Sequence, residues 1–493
     1  MQAKFPTVDW TNIDRLYIPA GNYKFIRLGN LPNRSPSKKL VITNSGGQVK
    51  IGGQGHHYML VITGGSNWVF TGRYDPVSQT GHASFPGHRS GAFANSQGKY
   101  GIFVDDALSR AGISGIQISG KATQFELEYL EVTRVDFAGI LVKTDDDSTA
   151  IMENCKFHDL YIHDTTSEGL YIGNSKIKVN ADTAAMDSEN QHQIRNWEVW
   201  NNRILRTGTE AMQMSHLAGA NNHVHHNVFG PAAIDWRSAF QIYQDGNLVF
   251  NLREGKVLVE KNIVIGSAGT HFSLFSIPVP GEVTANNVGI VVRDNYFSDM
   301  RNLALYAGSD AITGMSFVFQ NNVWRHQRFE YAQVYPTTNV WDHLLRNFNT
   351  MTPISFSNND WDHPTLKFIA GITANALPTG NGTAGNVSGT GADRRTIDAV
   401  RFVNAGLPDG FDYLMLERWQ ATATLNANAP VTYPLGTIVM HIGTPYRCKL
   451  ATCAAGVVPP GNAATWEVLA PFADDVRVLS GSTYDGYGLQ PGL

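Results

Sequence analysis

A short phrase recurs from about residue 125 to 335, and it limits the folds open to the chain. It reads Glu128-Tyr-Leu-Glu-Val, Asp159-Leu-Tyr-Ile, Asn202-Arg-Ile-Leu, Asn227-Val-Phe, Asn262-Ile-Val-Ile, Asn295-Tyr-Phe and Asn322-Val-Trp. Successive first residues lie 31, 43, 25, 35, 33 and 27 positions apart, and the longest step contains a polar excursion from Ser175 to His192. No helical period of 3.6 joins them. Short β-branched and aromatic runs alternate with Gly, Asn, Asp and Ser, which is the pattern of strands and corners. A second phrase follows about ten residues later: Gly139-Ile-Leu-Val, Gly169-Leu-Tyr-Ile, Ala211-Met-Gln-Met, Ala239-Phe-Gln-Ile and His271-Phe-Ser-Leu.

Side chains alternate across a strand. The second phrase therefore directs Ile140 and Val142, Leu170 and Ile172, Met212 and Met214, Phe240 and Ile242, and Phe272 and Leu274 inward. Leu141, Tyr171, Gln213, Gln241 and Ser273 then point outward. Such units cannot bury their apolar edges singly, so they stack into a β-solenoid with one continuous core. A repeated corner Asn can form a hydrogen-bonded ladder from coil to coil. A β-sandwich with regular turns would not keep the two phrases in order and phase. The 48 Gly and the low charged fraction of 16 % fit many corners around an apolar column.

Composition also excludes other classes. Net charge is −4, so no broad basic field exists for nucleic acid. No apolar run approaches about 18 residues, so no membrane helix is expected. The start, MQAKFPTVDWTN, lacks an apolar leader region. The chain thus either stays inside the cell or begins at its mature end. Three Cys are too few for a disulfide scaffold.

The chain resembles the pectate-lyase-like right-handed parallel β-helix superfamily of polysaccharide-active enzymes. Residues 17–26, Tyr-Ile-Pro-Ala-Gly-Asn-Tyr-Lys-Phe-Ile, resemble its opening phrase, and Asn202 to Phe229 resembles its generic repeat. Ala399-Val-Arg-Phe-Val-Asn-Ala and Asp475-Val-Arg-Val-Leu-Ser-Gly-Ser resemble the two halves of its closing phrase. The resemblance implies an all-β, right-handed parallel β-helix over residues 1–413, with a C-terminal return over 474–493. Between them, 414–473 is expected to form a small inserted β-module. The Gly/Asn/Thr stretch 376–391 reads as a linker.

Within the insert, Tyr433, Gly436, Val439, Gly443, Tyr446, Pro460 and Trp466 resemble the small chitin- and cellulose-binding modules of microbial glycosidases. That implies accessory sugar stacking on Tyr433, Tyr446 and Trp466. Cys448 and Cys453 can pair across a loop, which would suit an exported protein. Cys155 is expected inside a coil.

Enzymes of the resembled superfamily bind polysaccharide along the outer face of one sheet. On the middle coils that face offers Tyr171, Gln213, His216, Gln241, Tyr243 and Asp245, with Lys143 and Arg237 nearby, as substrate-binding residues. Glu168 and Glu210 each precede the small residue that opens a strand, so they occupy one column on successive coils. Coils stack at about 4.8 Å, and two carboxylates that close split their pKa values. Glu210 is expected as general acid and Glu168 as base or nucleophile, a spacing suited to a retaining glycosidase. Strict alternation would point both inward, so the expectation needs them in the turn.

The rival chemistry is β-elimination on a uronate, with Lys143, His216, Arg237 or Tyr243 as base. Glu168, Glu210 and the run Asp145-Asp146-Asp147 could then hold calcium. Hydrolysis is favoured because paired carboxylates outnumber outward bases. A glycan-binding tailspike or adhesin is the non-catalytic alternative. No polygalacturonase-type Asn-Thr-Asp or Gly-His-Gly motif is present. His223, His225 and His226 read as a corner and surface group, not a zinc site. The expectation is thus a secreted polysaccharide-degrading hydrolase, monomeric, without metal or cofactor unless calcium serves a lyase, and without nucleic-acid or membrane partners.

Overall fold

The computed structural model describes residues 7–10, 12–53, 58–88, 93–109, 112–144, 150–174, 192–235, 246–267, 269–276, 288–300, 305–308, 315–327, 343–347, 354–361, 367–369, 387–388, 399–420, 432–454, 456–490 and 493. Among them, regular structure is β-strand apart from one short 3-10 turn at Tyr413–Met415. Successive coils lay strands on three parallel ladders, giving a parallel β-helix. The first ladder includes Trp68–Thr71, Glu126–Glu128, Lys156–His158, Glu198–Trp200, Asn222–His225 and Lys256–Glu260. The second includes Ile102–Asp105, Leu130–Thr133, Tyr161–His163, Arg203–Leu205, Val228–Phe229 and Ile263–Ser267. The third includes Ser114–Ser119, Ile140–Val142, Leu170–Ile172, Met212–Ala218, Gly246–Leu252 and Thr270–Ser276.

Period-two alternation makes the core. On the first ladder Phe70, Leu127, Phe157, Val199, Val224 and Val259 stack in register and are fully buried. Val104, Val132, Ile162, Ile204 and Phe229 do so on the second. Ile140, Leu170 and Met212 do so on the third, beside Val142, Ile172 and Met214. Burying each such side chain stabilises by about 1.5–3 kcal/mol. Cys155 packs in the same core, as expected.

The corner between the first and second ladders explains the Asn repeat. Each coil places one residue in the left-handed region there: Tyr129, Asp159, Asn201, His226, Lys261, Asp294, Asn321 and Asn358 all have φ between 50° and 55°. The next residue forms a ladder through Asn202, Asn227, Asn262, Asn295, Asn322 and Asn359. Each Nδ2 donates to the following Oδ1 at 2.9–3.0 Å. Each Oδ1 also accepts the backbone N–H of the preceding Asn at 3.0–3.1 Å. These amides are buried, and their side-chain oxygens and nitrogens hydrogen-bond within the coil stack, which is the condition for a stable polar interior. The register corrects two anchors. Leu160, not Asp159, lies below Asn202 and donates its N–H to Asn202 Oδ1 at 2.9 Å. Glu128 likewise ends a first-ladder strand, and the ladder of amides begins only at Asn202.

A second correction concerns the third ladder. Its strand above Met212–Ala218 is Gly246–Leu252, pairing Met212 with Leu248 and Met214 with Phe250. Phe240 and Ile242 lie outside the described residues, and their expected place is taken by Leu248 and Phe250. Most of the proposed linker 376–391 also lies outside them, although Val387–Ser388 pairs with Asp360–Trp361 as a strand.

The two halves of the closing phrase meet: Phe402–Asn404 pairs antiparallel with Asp475–Val478. Between them, Leu416–Arg418, Ile438–His441, Thr444–Cys448 and Trp466–Val468 form a separate four-stranded sheet. Cys448 and Cys453 are disulfide-bonded, with Cα atoms 6.0 Å apart. Tyr433 and Trp466 are buried against that disulfide and Val439. Their ring faces are therefore not free to stack sugars, which overturns the accessory role expected for them. Tyr446 is partly exposed at the edge of the same cluster. The sheet docks on the β-helix through Arg418, whose Nη2 meets Asp235 Oδ2 at 2.7 Å.

The C-terminal return and residues 73–88 and 93–100 cover the outer side of the second ladder. Arg206 donates to both carboxylate oxygens of Asp474, at 2.8 and 2.7 Å, and to Asp164 at 2.9 Å. Arg203 donates to Asp474 O, Phe93 O, Ser96 Oγ and Tyr100 Oη at 2.6–3.2 Å, and lies 3.9 Å over the Tyr161 ring. Tyr161 donates its hydroxyl to Asp474. His88 bridges Tyr100 and Asp159 at 2.7 and 3.0 Å. All of these groups are buried.

Candidate functional site

Glu168 and Glu210 do occupy one corner on successive coils. The Gly169 N–H donates to the Glu210 carbonyl at 2.9 Å, and Leu170 pairs with Met212. The corner is tight: a Cβ on Gly169 would sit 2.3 Å from Ile204 Cγ2, so glycine is required there. The Ser167 hydroxyl donates to Glu168 Oε2 at 2.6 Å and lies 3.3 Å from Thr209 Oγ1 of the next coil. Glu168 and Glu210 are 1 % and 3 % exposed. Burial pushes the Glu168 carboxyl above its ordinary range, and the Ser167 hydrogen bond offsets part of that rise.

Leu141, Tyr171 and Gln213 share the adjoining outward column. Tyr171 is partly exposed, with its ring 6.5 Å from Phe137. Gln213 is buried and donates to Ser215 Oγ at 3.0 Å, which also accepts from Asn251 at 2.6 Å. The position above Gln213 belongs to Val249, not Gln241. His216 does not join the column. A register shift between Met214 and Leu217 forms a bulge, and His216 adopts a φ of 59° within it. It is buried, 6.3 Å from the His192 ring, and burial lowers it to about 3. Lys143 is half-buried at the end of its strand, where its N–H donates to Ile118 O at 3.0 Å. Arg237, Gln241, Tyr243, Asp245 and the run 145–147 lie outside the described residues.

The first ladder carries an outward stripe that sequence reasoning missed as a site. Its two columns are Glu126, Lys156, Glu198 and His223, then Glu128, His158, Trp200, His225 and Glu260. The His158 ring stacks on Trp200 at 4.1 Å, and His223 on His225 at 4.0 Å. Lys156 Nζ lies 5.5 Å over Trp200. His158 contacts Asp159 at 2.8 Å and Glu126 at 3.0 Å. Burial works against its charge, but those two hydrogen bonds outweigh it and hold His158 at about 9. The His158 hydrogen bond in turn takes Glu126 down to about 2. Burial, then the neighbouring His225, lowers His223. The signal was present as the alternations Glu126-Leu-Glu128, Lys156-Phe-His158, Glu198-Val-Trp200 and His223-Val-His225. Among the described residues, two groups bring three donor atoms within 4.8 Å of one another: Glu126, Glu128 and His158, and Glu198, His223 and His225.

Residues 98–276 match the family described as right handed beta helix region, so the solenoid is a right-handed parallel β-helix. A comparison with curated protein sequences gives no match. Among solved structures, the tailspike protein 2 enzymatically active domain of bacteriophage CBA120 is similar at 9 % identity and a TM-score of 0.36, over 85 % of this chain and 52 % of that one. The chain thus spans about half the length of that tailspike domain. An alginate lyase from Paenibacillus sp. str. FPU-7 is similar at 12 % identity and a TM-score of 0.33, over 69 % and 92 %. A lacto-N-biosidase from Eubacterium ramulus is similar at 8 % identity and a TM-score of 0.43, over 77 % and 63 %.

Proposed function

We propose that the chain is a polysaccharide-degrading enzyme, a glycoside hydrolase working through Glu168 and Glu210. The supporting observation is the placement of these two residues at one corner on successive coils, leading into the Tyr171–Gln213 column. A coil spacing of about 4.8 Å suits the roughly 5–5.5 Å of a retaining pair. A general acid must stay protonated near its working pH. Burial raises the Glu168 carboxyl, which suits it to the acid role, and we assign the nucleophile to Glu210. This reverses the roles expected from sequence. Tyr171 would present a ring to the sugar. The disulfide fits export to an oxidising compartment.

The test is reducing-end release from a panel of neutral and acidic polysaccharides, with product masses. Glu168→Gln and Glu210→Gln should each lower kcat by at least 100-fold while the fold is kept. Products lighter by one water would mark elimination and overturn the hydrolase. Unchanged turnover in both variants would remove the site.

A further inference from the structure

The geometry points to a divalent transition-metal site on the first ladder, formed by Glu198, His223 and His225 and separate from the Glu168–Glu210 corner. Glu198 comes from one coil and the two histidines from the next, paired in register as Glu198 with His223 and Trp200 with His225. His225 Nε2 lies 3.4 Å from Glu198 Oε1, and the three donor atoms all lie within 4.8 Å of one another. A tetrahedral ion with bonds of about 2.1 Å wants donors roughly 3.4 Å apart. Side-chain movement of about an ångström closes the set. Glu198 and His223 are 37 % and 31 % exposed at their side chains, so an ion has a way in.

The surroundings orient the ligands. His225 Nδ1 lies 2.8 Å from His226 Nδ1, so one of the two carries the proton between them. With that proton on His225, its Nε2 keeps a lone pair aimed at Glu198. A hydrogen-bonded partner behind a metal-binding imidazole fixes ring and tautomer in this way. His226 holds its place through the left-handed corner, at a φ of 52°. On the other side Glu260, clamped by Arg293 at 2.7 Å, reaches His223 Nε2 at 3.0 Å and adds negative charge beside the site.

The neighbouring group of Glu126, Glu128 and His158 is the internal comparison. It has one imidazole where the other has two, and it is more closed: the side chains of His158 and Glu128 are each 9 % exposed. Two imidazoles and one carboxylate favour Zn²⁺ and its first-row neighbours over Ca²⁺, which prefers oxygen alone. Three protein ligands leave a fourth position for solvent. An ion held there would also tie adjacent coils together.

The full chain, stripped with EDTA, would be titrated separately with Zn²⁺ and Ca²⁺ by calorimetry and followed by thermal unfolding. One equivalent of Zn²⁺ should bind and raise Tm, with no comparable response to Ca²⁺. His223→Ala and His225→Ala should each weaken Zn²⁺ binding more than tenfold and abolish the Tm rise. His226→Ala should weaken it about tenfold. His82→Ala, on the covering segment, should change nothing. If either alanine variant fails to fold, the isosteric Glu198→Gln carries the same expectation at a half-exposed position. Zn²⁺ binding unaffected by all of these substitutions, or Ca²⁺ bound equally tightly, would overturn the assignment.

Discussion

The first and second ladders present the same kinds of side chain on their outer sides, with opposite outcomes. On the second ladder, Arg203, Arg206, Asp164, His163 and Glu131 lie under residues 73–88, 93–100 and the C-terminal return, and every one is buried. On the first, Lys156, Glu198, His223 and Arg293 stay partly open to solvent. Coverage decides the chemistry. Removed from water, a charge must find partners or cost several kcal/mol, so the second ladder becomes a saturated brace. Left in water, the same groups interact weakly and can exchange their pairings for a ligand.

The sharpest way to break this contrast is Arg206→Ala. The substitution strands Asp474 as a buried carboxylate without its cation and leaves Asp164 with His163 alone. Both are held below the ordinary carboxylate range: burial works against their charge and Arg206 outweighs it. Removing one member of a buried pair costs about 3–5 kcal/mol. Urea unfolding should show that loss, and limited proteolysis should cut first within residues 472–490. A change below about 1 kcal/mol would mean that the covered side behaves like an open one.

How far the sequence foresees this depends on the range of the contacts. The inward columns and the amide ladder were legible, because alternation and a corner Asn act within one coil or between adjacent coils. Asp159 misled by looking like an anchor, since Asp and Asn both suit a left-handed corner. Ala239-Phe-Gln-Ile misled because Leu248-Val-Phe alternates as well, a few residues on. The brace was not legible: Arg206 and Asp474 are 268 residues apart, and no local pattern announces their contact. Glu168 and Glu210 were read as neighbours from their matched phrases. Their burial was not, because it depends on what packs outside the corner.

A smaller effect comes from pH. His158 links the two ladders: it faces Glu126 and Glu128 on the first and touches Asp159, which also holds His88 of the covering segment. Folding raises His158 from 6.5 to about 9. A raised histidine contributes stability that is fully present below about pH 6.5 and is lost as pH rises through about 9. His163, raised by Asp164 and Glu131 against the effect of burial, acts in the same direction. Unfolding free energy should therefore fall from pH 6.5 to 9, and His158→Gln should flatten the decline. An equally steep decline in that variant would place the titration wholly on the covered ladder.

The smallest effect is expected at Lys156→Ala, and it tests the open side directly. Lys156 Nζ lies 3.5 Å from Glu198 Oε2, with side chains 47 % and 37 % exposed. It also lies over the Trp200 ring. Water screens the ion pair, and the free lysine recovers rotamer entropy that the pair had cost. The loss should be about 0.2–1 kcal/mol, measured by urea unfolding, and should shrink further as salt shortens the range of the interaction. A loss as large as that of Arg206→Ala, insensitive to salt, would show the first ladder to be desolvated too. Glu198 and His223 would then belong to a closed structural network, and the difference between the two sides would disappear.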